Sequence, residues 1–140
     1  MKYRAVIDTN VLVSAVIKRD SVPGSIVDLA FNNIIIPLLN DKILTEYEEV
    51  LLRPKFRLAS EIVKDIIDEF RCYSVFIEEE PLRINLPDPD DLVFYQILMS
   101  DRKQNEAYLV TGNIKHFPQT PYIVTPREML NIILNDTNEI

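Results

Sequence analysis

Glycine is scarce in this chain, because only Gly24 and Gly112 occur among its 140 residues. Walker-type phosphate loops and dinucleotide-binding turns both need several glycines at fixed spacing, so that backbone amides can approach the phosphate. The sequence contains neither arrangement. It therefore excludes nucleotide-binding folds that depend on a glycine-rich loop.

Cysteine is scarcer still, since Cys72 is the only one. A lone cysteine cannot form an internal disulfide, which favours a reducing cytoplasm. The apolar neighbours of Cys72 late in a predicted helix indicate a small core residue. Every apolar run is much shorter than the roughly 20 residues of a membrane helix, and Asp8 interrupts the first run before an export signal can form. The sequence thus predicts a cytoplasmic protein with no membrane segment.

Positive charge is also in deficit, with 15 Lys and Arg against 22 Asp and Glu and a net charge of −7. A nucleic-acid enzyme usually has a basic surface, so this balance counts mildly against that class. The objection weakens if acids cluster around a cation or if a basic partner covers the protein. The hydrophobic fraction of 47% is that of an ordinary globular chain. We expect a single domain over residues 1–140, with a polar tail from about residue 136.

Strand and helix patterns alternate along the chain. Short β-branched runs predict five strands, and capping residues followed by apolar residues at helical spacing predict the helices between them. The predicted strands are 3–7, 34–39, 74–77, 107–111 and 122–124; the predicted helices begin near residues 9, 21, 41, 60, 88 and 125. Such alternation predicts a three-layer α/β/α sandwich with a central, mostly parallel sheet of about five strands.

Two polar residues follow predicted strands directly. Asp8 ends the first strand, and Asn113 follows the fourth strand after Gly112. Open parallel sheets bind ligands beyond the carboxyl ends of their strands, so these positions are candidate site residues. The structural alternatives are a helix N-cap for Asp8 and a turn residue for Asn113.

Further acids have equally plausible structural roles. In Asp88-Pro89-Asp90-Asp91, Asp88 can cap a helix, and Asp91 stands in capping-box register. Glu46 and Glu48 flank the apolar stripe of the third predicted helix at similar angles, so periodicity does not choose between them. A solvated charged face is the alternative for both.

Four motifs, in order, resemble those of the PIN-domain family. They are Ile7-Asp8-Thr9-Asn10-Val11, Glu46-Tyr47-Glu48-Glu49-Val50-Leu51, Asp88-Pro89-Asp90-Asp91-Leu92-Val93-Phe94 and Leu109-Val110-Thr111-Gly112-Asn113. The continuation Ile114-Lys115-His116-Phe117-Pro118 resembles the VapC-like ribonuclease toxins of type II toxin–antitoxin systems. The resemblance spans nearly the whole chain, and the ordered set is far more specific than any single motif.

The resemblance implies a role for each matched residue. Asp8, Glu46 and Asp91 match the metal-binding acids, and Asn113 stands at a fourth catalytic position that is often Asp in the family. Asn10 and Thr111 match supporting polar residues, while Lys115 and His116 are possible substrate contacts. Oxygen ligands of this kind suit Mg²⁺ or Mn²⁺ and not zinc. The amide of Asn113 can coordinate but adds no charge, so activity could be reduced.

The leading prediction is a metal-dependent endoribonuclease that cleaves single-stranded RNA and acts as the toxin of a toxin–antitoxin pair. The resemblance also implies an antitoxin partner and a homodimer. One alternative is a catalytically weak PIN fold that binds RNA or protein. Another is an aspartyl phosphotransferase of the haloacid-dehalogenase type, which requires a second acid where this chain has Asn10.

Overall fold

Five parallel strands form the centre of the computed structural model, which describes residues 2–138. The strands are β1 (Tyr3–Ile7), β2 (Ile35–Leu39), β3 (Val75–Phe76), β4 (Ala107–Val110) and β5 (Ile123–Val124). Their order in the sheet is β3-β2-β1-β4-β5, and every neighbouring pair is parallel. From β1 the chain builds the sheet first towards β3 and later, with β4 and β5, in the opposite direction. The reversal falls between β1 and β4, which is where open α/β sheets bind ligands.

Helices cover this sheet. They are α1 (Thr9–Ile17), α2 (Val22–Phe31), α3 (Asp41–Leu51), α4 (Ser60–Tyr73), α5 (Leu92–Arg102) and α6 (Pro126–Asn138), with short 3₁₀ turns at Pro54–Phe56, Pro89–Asp91 and Ile114–His116. Helix α5 packs on β1, β2 and β4, whereas α2 contacts α1, β2 and α6. The predicted α/β sandwich with a five-stranded sheet is confirmed.

Strand β1 lies at the middle of the sheet and is almost completely buried. Ala5, Val6 and Ile7 are each 0% exposed. A parallel strand covered on both faces needs apolar residues at consecutive positions, which accounts for the unbroken run before Asp8. Burial of β1 in the core therefore sets the position of Asp8, which follows the last residue of the strand.

Pro37 lies in the middle of β2, not near an end as the sequence suggested. Its partner on β1 is Ala5. The amide of Ile77 donates to the carbonyl of Leu39, so odd-numbered residues of β2 direct their backbone groups towards β3. Pairing with β3 begins only at Leu38, so the missing N–H of Pro37 removes no bond to a strand.

Three further details of the sequence prediction need correction. Cys72 is exposed, because the buried face of α4 is formed by Val63, Ile67 and Phe70, and residue 72 lies about half a turn beyond Phe70. Ala59, not Ser60, is the N-cap of α4. Helix α6 continues to Asn138, past the expected start of a polar tail.

The end of α6 is held by the first strand of the sheet. The hydroxyl of Tyr3 donates to Asp136 at 2.8 Å. Residues 139–140 of the expected tail lie outside the described residues. Within residues 2–138, no helix is both long enough and apolar enough to cross a membrane.

Candidate metal centre

Asp8 lies where β1 ends and α1 begins. Parallel pairing places Ile7 beside Val110, so the carboxyl ends of β1 and β4 meet at one edge of the sheet. Asp8 occupies the N-cap position of α1, but its side chain makes no capping hydrogen bond. The residue is only 5% exposed. The capping interpretation therefore does not account for this buried acid.

The Asp8 carboxylate instead accepts hydrogen bonds from neighbouring side chains. Thr111 Oγ1 donates to Asp8 Oδ2 at 2.7 Å, and Asn10 Nδ2 approaches the same oxygen at 3.4 Å. Asn10 Oδ1 in turn accepts from the backbone N–H of Gly112 at 3.1 Å. The amide side chain of Asn10 therefore links Asp8 to Gly112, which lies just after β4. It does so without adding a negative charge.

Glu46 projects from α3 towards the same edge of the sheet. Sequence periodicity left Glu46 and Glu48 equivalent, but Glu46 is half-buried and Glu48 is exposed. The hydroxyl of Thr9, the first residue of α1, donates to Glu46 Oε2. The next residue, Tyr47, is fully buried and donates to the carbonyl of Ile7 at 2.5 Å, which ties α3 to the end of β1.

Asp88 and Asp91 have different roles at the turn that precedes α5. Asp88 Oδ1 accepts from the backbone N–H of Asp90 at 3.0 Å and so caps this turn. Asp91 occupies the N-cap position of α5 without a capping bond from its side chain. Its Oδ2 lies 3.0 Å from His116 Nδ1 instead. The carboxylate of Asp91 is therefore directed to the site and not to the helix end.

The acids share one cleft of about 410 Å³. It is lined by Asp8, Thr9, Asn10, Val13, Ser14, Glu46, Val50, Arg53, Phe56, Asp88, Asp90 and Asp91. The structure thus brings the three predicted acids Asp8, Glu46 and Asp91 to one cleft, although they come from β1, α3 and the start of α5.

Burial and mutual repulsion disfavour charge on these acids. Burial raises the pKa of Asp8 to about 6, and the nearby carboxylates of Asp91 and Glu46 add to that rise, whereas the hydrogen bond from Thr111 opposes it. The pKa of Glu46 is raised, first by burial and then by Asp90, Asp91 and Asp88. Burial also raises the pKa of Asp91. A bound divalent cation would offset this repulsion.

A second set of donors overlaps the predicted one. Ligand atoms of Asp88, Asp91 and His116 all lie within 4.8 Å of one another. Asp91 belongs to both sets, whereas Asp8 and Glu46 are replaced by Asp88 and His116. Among the described residues, Asp8, Glu46 and Asp91 do not form so tight a group, although all three line the same cleft.

The remaining predicted residues lie at the rim. Asn113 is exposed, and its backbone N–H donates to Thr111 Oγ1 at 3.0 Å. Lys115 is exposed as well. His116 contacts Asp91, so its first partner is a candidate metal ligand and not solvent. None of these three residues lines the cleft shared by the acids.

The structure adds Thr9, Arg53 and Phe56 to the predicted residues. Thr9 holds Glu46, while Arg53 and Phe56 line the cleft from the turn after α3. In the sequence, Thr9 stood out only as part of the first motif, and Arg53 was one of several basic residues near predicted loops. Nothing in the sequence distinguishes Phe56 from an aromatic residue of the core, because aromatic residues in apolar surroundings are usually buried.

Comparisons with known proteins agree with this geometry. A family model described as PIN domain matches residues 4–115. An uncharacterized protein of Methanocaldococcus jannaschii is 34% identical over 117 residues, which are 81% of this chain and 72% of that protein.

The fold is also similar to a solved structure, that of VapBC2 from Rickettsia felis bound to a DNA fragment from its promoter. The TM-score is 0.56 at 21% identity, with 87% of this chain and 96% of that chain covered. At this identity the likeness concerns the fold alone. The family match spans most of the chain and includes β1, α3, α5 and β4, the elements that carry the four motifs. The chain belongs to the PIN-domain family.

Proposed function

We propose that this protein is a metal-dependent endoribonuclease that cleaves single-stranded RNA. The observation that carries the proposal is the convergence of Asp8, Glu46 and Asp91 on one cleft, where burial and neighbouring carboxylates raise their pKa values. Crowding of buried carboxylates destabilises a protein unless a cation compensates it. Oxygen ligands select hard ions, so Mg²⁺ or Mn²⁺ is the proposed cofactor.

The chain's own residues divide the work. Asp8 and Asp91 would hold the metal, and Glu46 would complete its binding or orient the attacking water. The hydroxyls of Thr111 and Thr9 hold Asp8 and Glu46 in place through the hydrogen bonds described above. A bound Mg²⁺ or Mn²⁺ supplies electrostatic stabilisation of the charge that develops on phosphate oxygens and lowers the pKa of water. Asn113, Lys115 and His116 at the rim would meet the substrate or complete the site.

The proposed partners follow from the family and from the sequence motifs. The segment Ile114–Pro118 resembles toxin-type PIN domains, so we propose an antitoxin protein as partner and a cytoplasmic location. An apolar groove of about 370 Å³ between α1, α2 and α4 offers a surface for such a partner. Ile62 on its rim is 51% exposed. Homodimerisation is part of the same proposal.

The decisive experiment incubates purified protein with a mixed RNA pool in Mn²⁺, in Mg²⁺ and in chelator. Cleavage should require metal and should be lost in Asp8→Asn and Asp91→Asn. Asp88→Asn tests the second donor set, because it removes a charge there while the amide oxygen can keep the hydrogen bond from Asp90; cleavage should persist if Asp8, Glu46 and Asp91 hold the metal. Loss of cleavage in Asp88→Asn with retention in Asp8→Asn would assign the metal to Asp88, Asp91 and His116. Cleavage that survives chelation would overturn the proposal.

A second candidate function is a binding module with little or no catalysis. Two observations favour it: the uncharged Asn113 at the fourth position and the net charge of −7. Retention of RNA, or of a protein partner, without cleavage in any metal would select this alternative. Circular dichroism of each variant checks that loss of activity does not reflect loss of the fold.

A further inference from the structure

We propose that the turn after α3 is the docking surface for the RNA strand, with Arg53 binding a backbone phosphate and Phe56 stacking on a nucleobase. This inference rests on the ribonuclease function proposed above. We call the segment Arg53–Arg57 the docking turn. It consists of Arg53, the 3₁₀ turn Pro54–Phe56 and Arg57.

The docking turn lies beside the acids of the candidate metal centre. Arg53 and Phe56 line the same cleft of about 410 Å³ as the acids of the candidate metal centre. Arg53 also lines a neighbouring depression of about 500 Å³, which shares Glu46, Val50 and Asp90 with the cleft. A strand that passes from one depression to the other would therefore run past Arg53.

The guanidinium of Arg53 has no partner among the described residues. Among the described residues it forms no side-chain hydrogen bond or ion pair, although Asp88, Asp90 and Glu46 line its cleft. Arg4 and Arg19, by contrast, pair with aspartates at 2.8 and 2.7 Å. A guanidinium with free donors matches the geometry of a phosphate, and phosphate is what the cleft must receive in a nuclease.

Phe56 is partly exposed at the cleft. Its ring is only half-buried and lines a polar cleft, whereas Phe70 and Phe94 are at most 1% exposed. The ammonium of Lys55 lies over one face of the Phe56 ring, 5.1 Å from its centroid, so a base would stack on the other face. An accessible aromatic ring beside cations is the usual platform for unpaired bases, which stack on it irrespective of sequence. This arrangement selects single strands, because bases in a duplex are already stacked.

The backbone of the docking turn is constrained by a proline and by two hydrogen bonds. Pro54 fixes one backbone angle of the docking turn, and two hydrogen bonds close it: from Phe56 N–H to the Arg53 carbonyl at 3.0 Å and from Arg57 N–H to the Pro54 carbonyl at 3.1 Å. Arg57 ends the turn in the left-handed region, with φ of 53°. The turn directly continues the helix that carries Glu46. The proposed substrate contact and the metal-binding acid thus belong to one rigid unit.

The docking turn is a basic segment of an acidic chain. Arg53, Lys55 and Arg57 place three cations within five residues of a chain whose net charge is −7. Contacts with phosphates depend on such local groups more than on the overall charge. The docking turn therefore removes part of the objection that an acidic protein binds RNA poorly.

The test is steady-state cleavage of a short single-stranded RNA, labelled with a fluorophore and a quencher, in Mn²⁺ at several salt concentrations. Arg53→Gln should raise KM about tenfold, as expected for one charge-assisted phosphate contact. It should also reduce the slope of log KM against log salt by about 0.7, and kcat should change little. Phe56→Leu should raise KM about tenfold without altering the salt slope.

Conservative variants and a charge control separate docking from structural damage. Arg53→Lys should keep the salt slope, and Phe56→Tyr should keep KM near the wild-type value. Lys64→Gln removes an exposed cation that pairs with Asp68 on α4 and lines neither depression, so it should change neither quantity. Thermal melting of each variant verifies the fold.

Two different failures are distinguishable. If the wild type cleaves the RNA but Arg53→Gln behaves like Lys64→Gln in both KM and salt slope, the proposed role of the docking turn is wrong and the ribonuclease function stands. A loss confined to kcat would likewise overturn docking. If the wild type cleaves no RNA in any metal, the ribonuclease function fails, and the docking turn is rejected with it.

Discussion

Thr111 Oγ1 donates a 2.7 Å hydrogen bond to Asp8 Oδ2, across 103 residues of sequence. Both groups are almost inaccessible, with Thr111 0% and Asp8 5% exposed. The same hydroxyl oxygen accepts from the backbone N–H of Asn113 at 3.0 Å. One side chain therefore positions the central acid of the candidate site and also fixes the start of the turn that carries the fourth position.

The first prediction concerns Thr111→Val, which keeps the shape and removes the hydroxyl. We expect a loss of about 2 kcal/mol in the free energy of unfolding, because a buried carboxylate and a backbone N–H both lose a partner. The pKa of Asp8 should rise further, since the hydrogen bond from Thr111 lowers it. Urea denaturation measures the first effect. Thr111→Ser is the control and should retain most of the stability; equal losses in both variants would contradict the assignment.

The second prediction concerns the stability of the metal-free protein as a function of pH. The pKa of Asp8 is raised by burial from 3.8 to about 6, so the folded state holds a proton that the unfolded state has lost between about pH 4 and pH 6. Stability contributed by this group is therefore highest below that window and falls as pH rises through it, by at most about 3 kcal/mol. The raised pKa values of Glu46 and Asp91 act in the same direction.

Thermal melting in chelator between pH 4 and pH 7 checks this expectation. Asp8→Asn should flatten the decline, because the amide does not ionise, and should stabilise the metal-free protein at pH 7. Glu48→Gln, which removes an exposed acid from the same helix as Glu46, should leave the profile unchanged. A wild-type profile that coincides with that of Asp8→Asn would contradict the role of burial at Asp8.

The third prediction concerns binding of Mn²⁺. The metal requires ionised ligands, so its affinity should fall as pH drops below about 6, where Asp8 becomes protonated. At pH 7 an excess of Mn²⁺ at about 100 times its Kd should add about 2.7 kcal/mol of stability. Isothermal titration and thermal shift measure both effects. An unchanged shift in Asp8→Asn and Asp91→Asn would show that the ion binds elsewhere.

The fourth prediction concerns Asn113→Asp, which restores an acid at the fourth position. A further carboxylate at the rim should tighten metal binding and raise kcat, and it should lower the melting temperature in chelator because it adds repulsion. The measurement compares cleavage rates and melting curves with and without Mn²⁺. Asn131→Asp, a substitution of the same type at an exposed position of α6, should leave the metal affinity unchanged. If Asn113→Asp binds metal no more tightly than wild type, the fourth position does not limit the site.

The fifth prediction separates His116 from Lys115. Contact with His116 lowers the pKa of Asp91, so His116→Leu should raise that pKa and weaken Mn²⁺ binding at pH 6. Lys115 is exposed, and Lys115→Ala should alter only KM for RNA. Metal titration of the two variants at pH 6 makes the comparison. Equal metal affinities would place both residues with the substrate and neither with the metal.

Much of the fold follows from local sequence. The apolar run before Asp8 predicts a buried parallel strand. The helices predicted to begin near residues 21 and 41 are capped by Ser21 and Asn40, whose side chains accept from the backbone N–H groups of Gly24 and Ile43. These features are predictable because a strand with two buried faces and a helix end with free amides each impose their own residue types. Tertiary context, however, placed Pro37 in the middle of its strand and Cys72 on the surface.

The sequence by itself determined the strand-end position of Asp8 and the acidic composition of the motifs around Glu46 and Asp91. Helical periodicity left Glu46 and Glu48 equivalent, and only the resemblance to the family favoured Glu46. The tertiary structure supplies the physical reason, because the contact of Tyr47 with the end of β1 orients α3 so that Glu46 enters the cleft. It also decided that Asp88 caps a turn while Asp91 faces His116. Helical periodicity fixes angles within one helix, whereas the direction of the site depends on how helices pack on the sheet.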